Sequence, residues 1–300
     1  MAIHSAVCVL VGSTLVHAQN RGVYPLGMSA NNSGGSKEPG FTYANHPLFY
    51  ARNEAKDDSG DTLPVTGHNA VLMDLNSLSW VSDEILDGIR YSASVTLGVA
   101  ANQLTSDVHA TTSGGVGLAD SYLVPFILGW SSERVVLRVL AGALVPTGRF
   151  GAGATDNVGS GYWTWTFSSG QTIYLTNDQR LAVSAYELYE VHTTQKGTDI
   201  RPGDTFDLDG SVTYAFELGD GWRLQAGIVG YAARQTTART GPSITPKQSA
   251  ERYAVNAIGL ASHMTLPSQK LTLGIRFYQE FANRSTFQGY SLQLPIVFRF

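Results

Sequence analysis

Residues 290–300 read YSLQLPIVFRF. Tyr290, Leu292, Leu294, Ile296, Phe298 and Phe300 share one parity, and Ser291, Gln293, Pro295, Val297 and Arg299 share the other. Successive side chains of a strand point to opposite faces, so this stretch has one wholly apolar face and one mixed face. It ends on an aromatic residue. A last strand of this kind carries an unpaired edge, which needs a partner. Pairing with the first strand of the same chain supplies one and closes the sheet on itself. This pattern matches the terminal strand of outer-membrane barrels, the segment recognised by the barrel-assembly machinery.

The same parity recurs upstream. Ile89, Tyr91, Ala93, Val95, Leu97 and Val99 alternate with Arg90, Ser92, Ser94, Thr96 and Gly98. Phe206, Leu208, Val212, Tyr214 and Phe216 alternate with Asp207, Asp209, Ser211, Thr213 and Glu217. Leu271, Leu273, Ile275 and Phe277 alternate with Thr272, Gly274, Arg276 and Tyr278. Strands are predicted near 41–54, 67–81, 88–101, 116–130, 134–146, 162–176, 179–192, 204–217, 221–235, 250–265, 269–282 and 286–300. A half-buried strand in a soluble sheet would also alternate. Repeated segments of ten residues or more fit a membrane barrel better, because soluble strands average ~5–6 residues. The fold class predicted is all-β, an antiparallel transmembrane barrel of about 12 strands with an irregular N-terminal segment.

The connections support the same geometry. SDEILD, WSSER, TND, LGD and LPSQ are short, whereas 55–66, 102–115 and 237–249 are long. Short periplasmic turns and long external loops are the expected asymmetry. The connection near 283–285 is an exception, external yet short. Trp80, Trp130 and Trp222 sit beside the short turns, and Trp163 and Trp165 at the opposite end, as two interfacial girdles require.

Composition agrees. Charged residues make up 15% of the 300, against ~25% for globular proteins. Mean hydropathy is -0.05, and no run reaches the ~20 apolar residues of a spanning helix. A net charge of -4 argues against nucleic acid as a partner. Residues 1–18 read as a signal peptide: an apolar run at 6–16, then Val16-His17-Ala18 before Gln19. The segment before that run lacks Lys and Arg, so either His4 and the amino terminus suffice or the true start lies upstream of Met1. Cys8 is the single cysteine and falls inside that run, so cleavage would leave no thiol chemistry.

Parity assigns the lumen a set of charges: Arg90, Arg138, Asp207, Asp209, Glu217, Arg223, Arg276 and Glu280. Charges facing lipid cost ~2–4 kcal/mol for Arg or Lys at mid-membrane, so they are expected inside. They form either a network filling a narrow barrel or a selective polar track. Glu187 breaks the apolar parity of 181–191, and a bulge is expected to turn it inward. Asp120 and Pro125 lie in an otherwise apolar strand. Proline cannot donate to the ladder, so a bulge or kink is expected there, either with no transport role or as a lateral opening into the membrane. Residues 19–40, rich in Gly, Ser, Asn and Pro, form either a lumen plug or a disordered periplasmic tail.

Enzyme chemistry has little support. None of the seven histidines sits beside a recognisable Ser motif; His109 and His192 read as loop-proximal, and His263 as close to a periplasmic turn. No metal-ligand spacing, phosphate-cradling loop or dinucleotide fingerprint occurs, so no cofactor is expected.

GLADSYLVPFILGW (117–130), LVPTGRF (144–150), VGSGYWTWTF (158–167), RPGDTFDLDGSVTYAF (201–216), GWRLQAGIVGYAARQTT (221–237) and the Glu280…Asn283-Arg284…Gly289 run carry a family resemblance. In order and spacing they resemble the outer-membrane proteins named for the meta-pathway of phenol degradation, which include sphingosine-responsive members. The resemblance covers most of 115–300. It implies a barrel in the outer membrane of a Gram-negative-type bacterium that takes up hydrophobic or aromatic compounds. The expected partners are outer-membrane lipids, the barrel-assembly machinery and hydrophobic small molecules. A structural or surface-exposed barrel with a closed lumen is the alternative; an outer-membrane hydrolase ranks below both.

Overall fold

The computed structural model describes residues 22–35, 38–64, 67–86, 88–106 and 111–300. The signal segment 1–18, with His4, Cys8 and His17, and His109 lie outside the described residues.

Strands β1 (Gly40–Ala55), β2 (Gly67–Leu86) and β3 (Ile89–Ser106) form the tallest part of one continuous antiparallel sheet. After them come β4 (Thr111–Ser113), β5 (Val116–Leu118), β6 (Ser121–Ser131), β7 (Val135–Val145) and β8 (Thr164–Tyr174). The rest are β9 (Leu181–His192), β10 (Thr205–Glu217), β11 (Arg223–Gln235), β12 (Ala254–Leu266), β13 (Leu271–Glu280), β14 (Phe287–Gln293) and β15 (Ile296–Arg299). β5 and β6 act as one stave interrupted at Ala119 and Asp120, and β14 and β15 as another interrupted at Leu294 and Pro295. β4 is an accessory to β3. The result is a closed barrel of 12 staves with almost no helix.

Closure follows from the terminal strand. β15 pairs with β1 from Thr42↔Arg299 to Asn45↔Ile296, and β14 continues the seam from Leu48↔Gln293 upward. Pro295 has no N–H to give, so the stave breaks there. The ladder resumes because Leu294 N–H donates to Pro47 O at 2.8 Å and Pro295 O accepts from Gly274 N–H at 2.8 Å.

The outward parity forms the lipid belt. Leu72, Leu97, Phe126, Phe167, Ile258 and Leu260 are each more than half exposed. Such a contiguous apolar surface would aggregate in water, but it matches hydrocarbon. Aromatic rings mark its borders: Trp80 and Trp222 near one end, and Trp163 stacked on Trp165 near the other with centroids 5.8 Å apart.

Two local expectations are corrected. SDEILD is not a free turn, because β2 runs on to Leu86 through bulges between Val81 and Glu84 and between Glu84 and Leu86. The hairpin then turns tightly at Gly88, whose φ of +80 favours glycine. Glu187 makes no bulge. β9 keeps unbroken register with β8 and β10, leaving Glu187 on the outward face. Ser169 Oγ and Gln171 Nε2 donate to its carboxylate at 2.7 and 2.9 Å. Neighbouring donors thus satisfy the carboxylate, and no backbone rearrangement is needed to remove it from lipid.

Candidate functional site

The inward parity encloses a lumen, and residues 22–35 lie inside it without helix or strand. The segment descends from the outer half of the barrel towards β1 at the periplasmic rim. At the top, Gly22 N–H donates to Tyr253 Oη at 2.7 Å. Val23 and Tyr24 N–H both donate to the Glu190 carboxylate, at 3.1 and 2.8 Å. Lower down, Asp209 accepts three bonds: from Gly27 N–H at 2.8 Å, Ser29 N–H at 3.0 Å and Tyr24 Oη at 2.6 Å. Hydrogen bonds to an ionised acceptor are among the stronger ones available to a protein. Burial raises the Tyr24 phenol well above its ordinary pKa, and the Asp209 charge adds to this, so Tyr24 stays a neutral donor.

The carbonyls of the segment are met from the opposite wall. Gln293 Nε2 donates to Leu26 O at 2.9 Å, Tyr278 Oη to Gly27 O at 2.8 Å and Arg276 Nη1 to Met28 O at 2.7 Å. Ser211 Oγ donates to Ala30 O at 2.7 Å. Tyr24, Leu26 and Ala30 pack into the buried cluster of Tyr186, Leu188, Tyr231 and Tyr278. The contact is close: a Cβ on Gly34 would lie 2.2 Å from Val136 O.

This segment separates two cavities. The outer one, about 400 Å³, is lined by Leu26, Val71, Met73, Leu104, Leu144 and Phe287, with Arg52, Asp120, Glu190 and Asp207 as its charged groups. The periplasmic one, about 250 Å³, is lined by Ser77, Ser79, Arg90, Ser92, Ser94 and Arg138 among others. Val124, Ile127, Val136 and Leu140 line the periplasmic chamber as well, so both chambers are mainly apolar.

Of the lumen candidates, Asp209 and Arg276 hold the segment, and Asp207 is buried on the wall of the outer cavity with Oδ2 unpartnered. Glu280 accepts from Tyr231 Oη, Asn283 Nδ2 and Gly289 N–H, each at 3.0 Å, and lies 3.7 Å from Arg52. Arg138 sits over the Tyr186 ring at 5.6 Å, and Arg90 donates to Ser82 O at 3.2 Å. Glu217 and Arg223 form a 3.5 Å ion pair at the periplasmic rim, both well exposed. Asp207 and Asp209 thus cluster with Glu190, while Arg90, Glu217 and Arg223 stand apart.

Glu190 was not singled out from the sequence. Its signal was present, because it shares parity with Ala182, Ser184 and Tyr186, which all face the lumen. His192 caps the same row, with Thr164 Oγ1 at 2.8 Å from Nδ1 and Glu190 at 3.6 Å from Nε2. Thr164, Glu190 and His192 are all buried, and the Tyr162 ring packs edge-on against His192.

Pro125 and Asp120 occupy adjacent irregularities of one stave. Pro125 and Phe126 both face outward where β6 shifts register against β7, and β3 shifts against β6 at the same height. Tyr91 Oη donates to Pro125 O at 2.5 Å across this bulge. Higher up, at Asp120, β7 has ended and β8 has not begun, so the neighbouring wall is the 146–163 connection. Asp120 grips it, accepting Gly148 N–H at 2.9 Å and Ser160 N–H at 2.8 Å.

Comparison with known proteins bears on this arrangement. An outer membrane channel from Pseudomonas putida F1 superposes with a TM-score of 0.74 at 12% identity, covering 90% of this chain and 98% of that one. The beta domain of the Bordetella autotransporter BrkA gives 0.61 at 11%, covering 88% and 100%. The translocator domain of NalP from Neisseria meningitidis gives 0.53 at 10%, covering 88% and 89%. These likenesses show the fold of an outer-membrane barrel. No functionally curated protein matches it. The profile of the family described as "Putative MetA-pathway of phenol degradation" matches residues 52–296, and the chain belongs to that family.

Proposed function

We propose that this barrel is a passive channel for small hydrophobic molecules, aromatic ones among them, and not an enzyme. The observation that carries the reading is the apolar outer cavity beside an irregular wall. A pore for hydrated solutes needs polar walls along its length. Here the outer half offers a chamber within the ~300–1,000 Å³ range of small-molecule sites, with mainly apolar lining. Residues 22–35 obstruct the axial route beneath it as a plug. A hydrophobic molecule entering between the external loops then has a sideways exit, where side-chain bonds of Asp120, Thr147 and Arg149, and no strand ladder, bridge the stave to the 146–163 connection and the Pro125 bulge weakens the ladder below. The similar Pseudomonas protein is itself described as a channel. In this reading the belt contacts outer-membrane lipids, and residues 290–300 engage the barrel-assembly machinery.

The test is uptake of a labelled aromatic compound by a deletion strain, with and without the wild-type gene, alongside planar-bilayer conductance. Restored uptake is expected, together with low conductance that rises when 22–35 are deleted. Absence of uptake, with conductance unchanged by the deletion, would leave a structural barrel with a closed lumen. That second reading is favoured by one observation: Asp209 and Arg276 already spend their hydrogen bonds on the plug. Hydrolysis of lipid or peptide by the refolded protein would overturn the non-enzyme reading.

A further inference from the structure

A cleft of about 660 Å³ opens at the loop end of the barrel, sharing only Tyr253 with the outer cavity among its lining residues. Arg234 lies on its floor. Ala233 and Gln235 are buried towards the lumen, so parity turns Arg234 outward, and it is exposed. Its guanidinium is held by Ala233 O at 2.8 Å, Val255 O at 2.6 Å and the Asn256 amide oxygen. Arg284 enters from the β13–β14 connection, whose backbone bridges to Ala254. Arg252 and Lys247 enter from the β11–β12 connection, where a helical turn, α1 (Pro246–Ala250), is fixed by a Thr245–Gln248 capping box.

Four cations therefore face two carboxylates, Asp58 and Glu251. Among the described residues, Glu251 lies 4.0 Å from Lys247 and also attracts Arg239, and no carboxylate lies within ion-pair distance of Arg234, Arg252 or Arg284. The cleft carries a positive surplus, four cations against two carboxylates. Its height is set by the belt. Asn256 shares the outward parity of Ile258 and Leu260, and its amide donates to Phe281 O. Ile258, Leu260, Phe277 and Phe281 are exposed apolar side chains immediately beneath. The cations thus stand where hydrocarbon gives way to headgroups, on the external side.

The external leaflet of an outer membrane consists of acylated glucosamine glycolipids bearing phosphates. A guanidinium fork matches phosphate geometry, and each cation near an anionic surface adds about a factor of five in affinity. We propose that the cleft of Arg234, Lys247, Arg252 and Arg284 binds the phosphorylated headgroup of an outer-leaflet glycolipid, whose acyl chains lie along Ile258, Leu260 and Phe281. This site is independent of the channel reading: a barrel with a closed lumen would bind the lipid equally well.

The full chain, refolded in detergent, is titrated with bis-phosphorylated lipid A, with enzymatically dephosphorylated lipid A and with inorganic phosphate. The phosphorylated lipid should bind tightest. The double variant Arg234→Gln/Arg284→Gln should lose about thirtyfold in affinity for it and little for the dephosphorylated form. Arg234→Lys/Arg284→Lys should recover part of the loss, and Lys270→Gln at the opposite rim should change nothing. Folding is checked by heat-modifiable migration; should the double variant not fold, Lys247→Gln/Arg252→Gln carries the same expectation. Unchanged affinity in a folded variant, equal binding of both lipids, or inorganic phosphate binding as tightly as the lipid would each overturn the proposal.

Discussion

Gly27 sits at φ +83 with the Tyr278 ring against it; an added Cβ would lie 2.6 Å from that ring. An L-residue in this conformation costs about 1–2 kcal/mol before any clash. Gly27→Ala should therefore unseat the plug while leaving the strands intact. Single-channel recordings should show larger or more frequent openings, with unchanged heat-modifiable migration; a wild-type trace would remove the plug from the mechanism. Glu187 supplies a second case. Its carboxylate is on the lipid-facing parity and accepts from Ser169 and Gln171. Glu187→Leu exchanges a lipid-facing acid for an apolar side chain, which should stabilise the barrel by about 1 kcal/mol in urea unfolding from vesicles. A lowered midpoint would show that the polar cluster contributes more than it costs.

The stave made of β5 and β6 combines both irregularities of the wall. A proline in a strand interior forfeits a ladder bond and tends to mark a bulge, and here two consecutive outward residues, Pro125 and Phe126, absorb it. That much was readable from one residue. The Asp120 latch was not, because its partners Gly148 and Ser160 come from another connection. Both Gly148 and Gly159 are crowded: a Cβ on Gly159 would fall 2.6 Å from Gly148 C and 2.7 Å from Asp120 Oδ1. Gly159→Ala should push the latch open and raise uptake of a hydrophobic compound. Pro125→Val, which restores a donor to the ladder, should lower uptake. Unaltered uptake in both variants would assign the bulge and the latch to wall shape alone.

Closure of the barrel rests on its last stave. β15 supplies the partners of Thr42, Tyr43, Ala44 and Asn45, so without it the lower edge of β1 loses its ladder. A barrel abolishes edges only when every stave is paired, and an unpaired amide in hydrocarbon costs several kcal/mol. Truncation after Pro295 should give a chain that neither inserts into vesicles nor shows a heat-modifiable band. Circular dichroism of the intact chain should be strand-dominated. Normal insertion of the truncated chain would contradict the closure argument.

Parity is a local property, fixed by how successive side chains leave an extended backbone, so residues near one another in the chain were enough to predict the strands, their two faces and the closing role of 290–300. It also set Arg276, Asp207, Asp209 and Glu280 on the inward face. What fills the lumen was beyond it. Several contacts of residues 22–35 join positions more than 160 apart in the chain, as between Tyr24 and Glu190 or Gly27 and Asp209. No periodicity records such pairings, because they arise only when the cylinder closes and brings opposite walls within hydrogen-bonding reach. Glu187 divides between the two: unbroken parity along β9 decided which way it faces, and only strand pairing supplied the two donors of β8 that satisfy its carboxylate there.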